Sequence, residues 1–293
     1  MERYGQILLV AMPIFLALVL FEKWYGWYRG RDNLRSMDMV SSLSSGVTNV
    51  VKDVLGLSVS ILTYGWMVEH LALVTLKSTF WMYAIAFLAL DFQGYWVHRW
   101  SHEINLFWNR HIIHHSSEEF NLTVGFRSSV LQPLYRFIYF IPLSIVGFKA
   151  IDIMFIYSAT QIFGILVHTQ TVGKLGWLEY FLVTPSHHRV HHASNVCYLD
   201  RNMGMVLIIW DKLFGTFQRE LENEPIKYGL TNNLHSNNPG KIVFHEWQAI
   251  AHDLKKKTSV KNKIMYLLGP PGWSHDGDCK TSAQLRKALL KKK

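Results

Sequence analysis

Histidine is the residue type whose spacing in this chain could do chemistry. Ten of the 15 histidines fall in short clusters or at the end of an apolar run. Residues three or four positions apart share one face of a helix, so each cluster would project its imidazoles together. The ten histidines are His98, His102, His111, His114, His115, His168, His187, His188, His191 and His192.

Imidazoles gathered in this way predict a metal centre. A single HxxxH pair is mostly coincidence, and a lone histidine such as His168 is more often a hydrogen-bonded interior residue. Several clusters together are different, because closely packed cationic imidazoles would repel one another and shared metal ions remove that repulsion. Eight or nine imidazoles exceed the four ligands of one tetrahedral zinc, so two ions are expected. Imidazole suits iron, zinc, copper and nickel, and spacing alone leaves the metal open.

One carboxylate is placed to support these ligands. Asp91 lies seven residues before His98, on nearly the same helix face, and inside an apolar run. A carboxylate in such a run is costly and usually has a partner. Because a ligating imidazole commonly donates its other N–H to a carboxylate, Asp91 is predicted to orient a ligating histidine.

The positive charge of the chain is confined to its end. The formal net charge is +9, and the last 39 residues hold 11 Lys/Arg against two acids, so the remainder is neutral. This distribution argues against a nucleic-acid binder, which needs basic residues on a folded face. The tail is either a solvated segment or is attracted to anionic lipid.

Apolar runs predict that the chain crosses a membrane four or five times. The runs are Ile7–Phe21, the weaker Leu55–Val74, Phe80–Val97, Val130–Phe148 and Ala150–His168. The basic residues that follow the first run are Lys23, Arg29, Arg31 and Arg35. Since basic loops favour the cytoplasm, alternating passes place every histidine cluster on the cytoplasmic side.

No repeat or long linker divides the chain, so residues 1–293 are predicted to form a single membrane-embedded domain. Within it we expect N-terminal membrane helices over 1–90, a catalytic core over 91–273 and a basic tail over 274–293. The predicted fold is all-α, a polytopic membrane helix bundle with a histidine-rich cytoplasmic helical cap. Two cysteines make neither a disulfide framework nor a metal-type cysteine pair.

The histidine motifs resemble a known superfamily. HRWSH, HIIHH and HHRVHH are similar to the HxxxH, HxxHH and HxxHH signature of the membrane fatty acid hydroxylases and sterol desaturases. The stretches HHSSEEFNLTVGFRSSVLQ, TPSHHRVHH, LIIWDKLFGTF, KYGLT and GPPGW resemble the alkylglycerol monooxygenase branch and its bacterial relatives. The resemblance runs from about Asp91 to Trp273.

The resemblance implies a membrane di-iron oxygenase that uses O₂ to hydroxylate a C–H bond of a lipid. In the ether-lipid branch the attacked carbon adjoins the ether oxygen, the product breaks down to an aldehyde and glycerol, and tetrahydrobiopterin is the reductant. The resemblance also carries over nine ligands, namely His98, His102, His111, His114, His115, His168, His188, His191 and His192.

Two further positions, Glu103 and His187, are candidates within the resemblance. Glu103 matches a glutamate tied to activity in that branch, which makes it a catalytic and cofactor-binding candidate; the alternative is an ion-pair role. Many superfamily members place a second histidine four residues after the equivalent of His168, where this chain has Val172. His187 could fill that place as a tenth ligand. Asn202 and Asp211 recur in the pattern and are interpreted as turn and capping residues.

Other functions remain open at this stage. The same di-iron site could catalyse desaturation or sterol-type hydroxylation, and a non-catalytic zinc-binding membrane protein is the alternative from another class. The lipid substrate is not identified. The electron donor is expected to be external, either a pterin, a ferredoxin or a haem protein. A bacterial inner membrane is the expected location, with the endoplasmic reticulum second.

Overall fold

The protein is described here by a computed structural model that covers residues 2–30, 42, 62–127, 137–234, 236 and 238–291. The described residues form helices joined by turns, with two isolated antiparallel bridges and no strand, so the all-α prediction is confirmed. The helices are α1 (Glu2–Tyr28), α2 (62–71), α3 (Phe80–Glu103), α4 (Asn105–His115), α5 (Ile141–Val146), α6 (Ala150–Leu166), α7 (Pro185–His191), α8 (Ile209–Phe214), α9 (Pro239–Lys255), α10 (Val260–Leu268) and α11 (Ser282–Leu290). Two 3₁₀ helices span Leu122–Phe126 and Gly176–Tyr180.

The predicted membrane passes map onto these elements only in part. The runs that begin at Ile7, Phe80 and Ala150 lie largely in α1, α3 and α6. Residues 55–61 and 130–136 of the other two runs, together with Arg31 and Arg35, lie outside the described residues. Within the described ranges, no helix combines the length and the apolar character that crossing a bilayer requires.

A sharp corner between α3 and α4 positions the first two histidine motifs. Ile104 ends α3 and precedes α4, and its extended backbone reverses the chain within one residue. The corner is tied to the C-terminal part of the chain, because the Asn105 N–H donates to the Gly269 carbonyl at 2.9 Å and its side-chain amide donates to the Tyr266 carbonyl at 3.0 Å. The last turns of α3 therefore face α4.

The largest apolar core lies away from the histidines. It joins α2, α3, α5 and α6 through buried side chains that include Tyr64, Ala86, Leu90, Phe140 and Ile153. Burial of these side chains on both sides of α3 holds this helix and α6 side by side. α6 ends directly before His168, so both helices end at the histidine-rich region.

α7 carries the last histidine motif and starts at a well-formed N-terminus. Thr184 precedes Pro185, which suits the first helical position because proline has no N–H to leave unpaired. The segment before α7 pairs with the one before α8, through the Val183 N–H to the Val206 carbonyl at 2.8 Å and the Ile208 N–H to the Phe181 carbonyl at 2.9 Å. This pairing brings residues 199–208 against the histidines.

Candidate metal centre

Nine histidines from four places in the chain converge on two neighbouring groups. In each group one ring nitrogen per residue lies within 4.8 Å of those of the others. The five-histidine cluster consists of His98, His102, His111, His115 and His191. The four-histidine cluster consists of His114, His168, His188 and His192.

α4 contributes to both clusters, and this division follows from helix geometry. His111 and His115 are one turn apart and lie in the five-histidine cluster, whereas His114 lies about 100° away from His115 around the helix. α7 and its C-terminal residue divide in the same way, with His191 in one cluster and His188 and His192 in the other. Two adjacent sites are built from shared helices.

Main-chain carbonyls set the proton position on several of these rings. The Nδ1 atoms of His98, His114 and His191 lie 2.9, 3.1 and 2.9 Å from the carbonyl oxygens of Met203, Arg127 and Arg201. His168 Nδ1 lies 2.6 Å from the Gly164 carbonyl. A carbonyl oxygen only accepts, so each Nδ1 must carry the proton and each Nε2 presents a lone pair.

The Nε2 lone pairs of two of these rings face each other with no proton available between them. His114 Nε2 and His168 Nε2 are 3.0 Å apart, and both rings already donate through Nδ1. Two acceptor nitrogens at this distance repel unless a cation lies between them. Two nitrogens bound at right angles to one ion, each about 2.1 Å away, would be about 3.0 Å apart. The four-histidine cluster therefore fits a metal ion.

The five-histidine cluster shows the same convergence of ring nitrogens. His98 Nε2 is 2.9 Å from His111 Nε2, which is in turn 3.1 Å from His115 Nε2. The Nε2 atoms of His102 and His191 are buried and have no hydrogen-bond partner among the described residues. A buried polar atom without a partner is costly, and a metal ion would satisfy both atoms.

Electrostatics keep these rings neutral, as metal ligation requires. Burial lowers the pKa of His114 to about 4. Burial, followed by repulsion from neighbouring imidazoles, holds the pKa values of His111, His115, His188, His191 and His192 well below the ordinary histidine value. At neutral pH these rings offer lone pairs instead of positive charge.

The segment 200–204 supplies partners that the sequence did not reveal. Its carbonyls at Arg201 and Met203 accept from His191 and His98, and Asp200 Oδ1 lies 3.4 Å from His102 Nδ1. Burial alone would raise the pKa of the Asp200 carboxyl, but its contact with His102 and the nearby Arg286 hold that pKa below its usual value. Three ligands of the five-histidine cluster are thus held by one short segment.

A buried carboxylate anchors this segment. Asp211 accepts from the N–H groups of Met203 and Gly204 at 2.6 and 2.7 Å, and from the Thr216 hydroxyl at 2.6 Å. Asn202 is fully buried, and its side chain bonds the His187 carbonyl and the backbone of Gln218. The predicted turn and capping roles of Asn202 and Asp211 agree with these contacts.

Comparison with known proteins shows what this part of the chain is similar to. Residues 83–216, which contain both clusters, match the family model described as fatty acid hydroxylase. This part of the chain is similar to fatty acid hydroxylases. The resemblance inferred from the histidine motifs is confirmed.

Individual relatives extend the match. The chain is 37% identical over 268 residues to human alkylglycerol monooxygenase and 33% identical over 269 residues to that of Danio rerio, in each case over 90% of this chain and 59% of the relative. It is also 29% identical to an ornithine lipid hydroxylase of Rhizobium tropici, over 49% of this chain and 44% of the relative. The chain thus spans about three fifths of the length of the alkylglycerol monooxygenases. No solved structure matches it.

Within the residues that match the family model, Asp91 lies at a different place from the one expected. Its carboxylate accepts from the N–H groups of Val206 and Leu207 at 2.9 and 3.1 Å and from the Trp210 indole at 2.9 Å, instead of from an imidazole. The prediction placed it on the face of His98, but the segment after Gly204 covers that position. Asp91 therefore steadies the chain that carries the Met203 carbonyl.

His187 and Glu103 also lie apart from the two clusters. His187 is the third residue of α7, where its ring takes part in a capping box with Thr184. Glu103 accepts from Arg99 Nε at 2.8 Å, and its side chain is 45% exposed. These contacts give His187 a capping role and place Glu103 in an ion pair with Arg99, while its catalytic and cofactor-binding role stays a prediction.

Proposed function

We propose that this protein is a membrane monooxygenase that hydroxylates an ether lipid at a centre of two iron ions. The observation that carries the proposal is the pair of histidine clusters, whose ring nitrogens converge within metal-binding distance, in a chain similar to alkylglycerol monooxygenases over most of its length. The five-histidine and four-histidine clusters would each hold one ion. The assignment of these histidines as iron ligands is part of the proposal.

Bound irons would supply the activation of O₂, which a protein's own side chains cannot provide. One oxygen atom enters the C–H bond and the other leaves as water, which consumes two electrons and two protons from an external donor. Insertion next to an ether oxygen gives a hemiacetal, which separates into an aldehyde and a glycerol derivative. Tetrahydrobiopterin is the donor we propose to test first, followed by a ferredoxin and a haem protein.

Residues of the chain orient the imidazoles of the centre and exclude water from it. The carbonyls of Met203, Arg201, Arg127 and Gly164 fix four imidazoles in the tautomer that offers Nε2. Phe120 is fully buried and packs against the rings of His168 and His192. Exclusion of water by such side chains strengthens electrostatic interactions inside the site and prevents side reactions.

The outer surface of the helices supports a membrane setting. Phe80, Trp81 and Ile85 on α3 are 76%, 74% and 58% exposed, and Ile151 and Phe155 on α6 are exposed in the same way. Apolar side chains at this density on a helix surface mark contact with lipid or with another protein. Since α3 and α6 both end at the histidines, an alkyl chain could approach along them from the bilayer. We propose that the centre faces the cytoplasm in a bacterial inner membrane, or in the endoplasmic reticulum of a eukaryote.

A product assay tests the proposal. The purified protein, loaded with iron in detergent, would be given ¹⁸O₂ and either an ether lipid, a sterol or a fatty acid, with and without tetrahydrobiopterin. We expect aldehyde release from the ether lipid only, with one ¹⁸O atom incorporated per turnover. A new double bond without inserted oxygen would replace the proposal with desaturation. A purified protein that contains only zinc and consumes no oxygen would contradict an oxygenase.

A further inference from the structure

We propose that Asp200 is a positioning residue that strengthens metal binding at the five-histidine cluster alone, and that α11 holds it in place through Arg286. The inference rests on the proposed function, because it takes both clusters to be metal sites. It predicts that the two sites differ in metal affinity. It also assigns a structural role to the C-terminal segment, which the charge pattern identified only as a basic tail.

The orientation of His102 carries the first step. Its Nδ1 lies 3.4 Å from Asp200 Oδ1, while its Nε2 is buried without a hydrogen-bond partner among the described residues. An ionised carboxylate only accepts, so the proton belongs on Nδ1 and the lone pair on Nε2 faces the cluster. A carboxylate on the far nitrogen also makes an imidazole a more basic ligand.

The backbone around Asp200 supports a specific role. Asp200 has a φ of 52° and Asn202 a φ of 56°, both in the left-handed region that costs most side chains free energy. Such conformations persist only where the surroundings hold them in place. Here they turn the Asp200 carboxylate, the Arg201 carbonyl and the Met203 carbonyl toward three ligands of one cluster.

The four-histidine cluster is supported by different chemistry. The partners recorded for His114 and His168 are the neutral carbonyls of Arg127 and Gly164. A carbonyl fixes the tautomer but adds no full negative charge near the ion. The two sites should therefore differ in affinity, and removal of the Asp200 charge should weaken only the site that contains His102.

α11 connects the tail to this carboxylate. The helix begins at a capping box formed by Thr281 and Gln284, and Arg286 lies one turn before its end. Arg286 Nη1 donates to the Leu199 carbonyl and lies 3.4 Å from Asp200 Oδ2. One carboxylate oxygen therefore faces the arginine while the other faces His102, so that the guanidinium limits the rotation of Asp200.

Counting the ions that resist a chelator tests the inference directly. The full chain and Asp200→Asn would be loaded anaerobically with Fe²⁺ and titrated with a chelator, and the retained iron measured by elemental analysis. Asparagine tolerates the left-handed backbone as well as aspartate does, so the variant removes charge without adding strain. We expect one of its two ions to leave at a chelator concentration about 10- to 100-fold lower than in the parent, and the other to stay.

The contrary outcomes are distinct. Equal retention in Asp200→Asn and the parent would overturn the inference, and so would parallel loss of both ions, which indicates general loosening. A parent protein that holds fewer than two ions would overturn the proposed two-metal function instead. Glu222→Gln, which removes an exposed carboxylate whose ion pair with Lys174 spans 3.7 Å, is the matched control and should retain both ions.

A second variant tests the role of α11. Arg286→Ala keeps the carboxylate but removes its tether, so the same single ion should leave more readily, by less than about tenfold. Iron retention in Arg286→Ala equal to that of the parent would show that Arg286 does not hold Asp200, and would overturn this part of the inference.

Discussion

The Nδ1 partner of each imidazole decides which ring nitrogen can face the cluster. Where a main-chain carbonyl occupies Nδ1, as at His98, His114, His168 and His191, the opposite nitrogen has a lone pair and no proton to share. The proposed metal binding therefore depends on the carbonyl acceptors as well as on the histidines, because a ring that is protonated at Nε2 presents no lone pair toward the cluster.

Loss of a single ring should cost an ion. His114→Ala removes a nitrogen that lies 3.0 Å from His168 Nε2, so we expect one ion to be lost and turnover to fall more than about 100-fold, beyond the effect of an outer contact. The readouts are bound iron and aldehyde release. His252→Ala is the control, since that ring is exposed on α9 and distant in sequence from both clusters; if it reduced iron binding equally, the ligand assignment of His114 would be refuted.

Removal of the carboxylate that anchors segment 203–204 should lower stability. Asp211→Ala leaves the N–H groups of Met203 and Gly204 buried without acceptors, and each such group costs about 1–3 kcal/mol. We expect the free energy of unfolding to fall by about 3 kcal/mol in denaturant titrations of the detergent-solubilised protein. An unchanged unfolding midpoint would show that the segment is held by other contacts.

At the scale of elements, the turns between helices decide which helix ends meet. Gly147 ends α5 with a φ of 93°, and a Cβ there would lie 1.8 Å from the Val74 carbonyl oxygen. Only glycine allows both this backbone conformation and the close approach of the segment after α2. The position of α6, and with it that of His168, depends on this turn.

A methyl group at this turn should therefore destabilise the protein. Gly147→Ala combines left-handed strain with a backbone clash, and we expect a loss of at least about 2 kcal/mol. Gly173→Ala is the matched control, because nothing lies within 4 Å of a Cβ at that position. Thermal unfolding of the two variants side by side would measure the difference, and equal midpoints would contradict the role of the turn.

α9 carries a carboxylate whose ionisation opposes folding. Burial, followed by repulsion from Asp253, raises the pKa of Glu246. The folded protein thus holds this proton more tightly than the unfolded chain does, so deprotonation destabilises the fold as the pH rises above about 4.3. Glu246→Gln should be more stable than the parent at neutral pH.

The pH dependence distinguishes this cause from a packing effect. The stability difference between Glu246→Gln and the parent should shrink as the pH falls and vanish below about pH 4, where both forms are neutral. Unfolding midpoints measured from pH 3.5 to 8 would show this trend. A difference that stays constant with pH would assign the effect to packing, and Glu222→Gln should show no comparable gain.

On the scale of the whole molecule, the candidate metal centre joins parts of the chain that are far apart in sequence. Histidines from α3, α4, α7 and the end of α6 meet in it, and the loop at Asp200 connects it to α11. Ions bound only by the folded chain stabilise it by mass action. The centre should therefore contribute to stability as well as to chemistry.

Metal removal should lower the thermal unfolding midpoint. At a free metal concentration 100 times the dissociation constant, each ion contributes about 2.7 kcal/mol, and this contribution is lost in chelator. Addition of Fe²⁺ should restore the midpoint in the parent, and only partly in a protein that lacks His114. Equal midpoints with and without chelator would show that no ion is held by the folded state.

The sequence by itself determined the helical class, the histidine motifs that are predicted to bind metal and the resemblance to fatty acid hydroxylases. Helical spacing is a local property, so residues three and four apart share a face wherever the helix lies. The number of imidazoles likewise predicted two ions without any knowledge of the tertiary structure. The membrane bundle and its cytoplasmic cap stay predictions.

Only the tertiary structure decided which carboxylate meets which ring. Asp91 had the expected spacing from His98, but long-range pairing of residues 204–208 brings N–H donors to it, and Asp200 lies by His102 instead. His187 shared a helix face with His191, yet α7 begins directly after Thr184, and the His187 ring forms the capping box of this helix. Main-chain carbonyls, left-handed residues and contacts across about 100 positions leave no periodic mark in a sequence, because they depend on where distant segments meet.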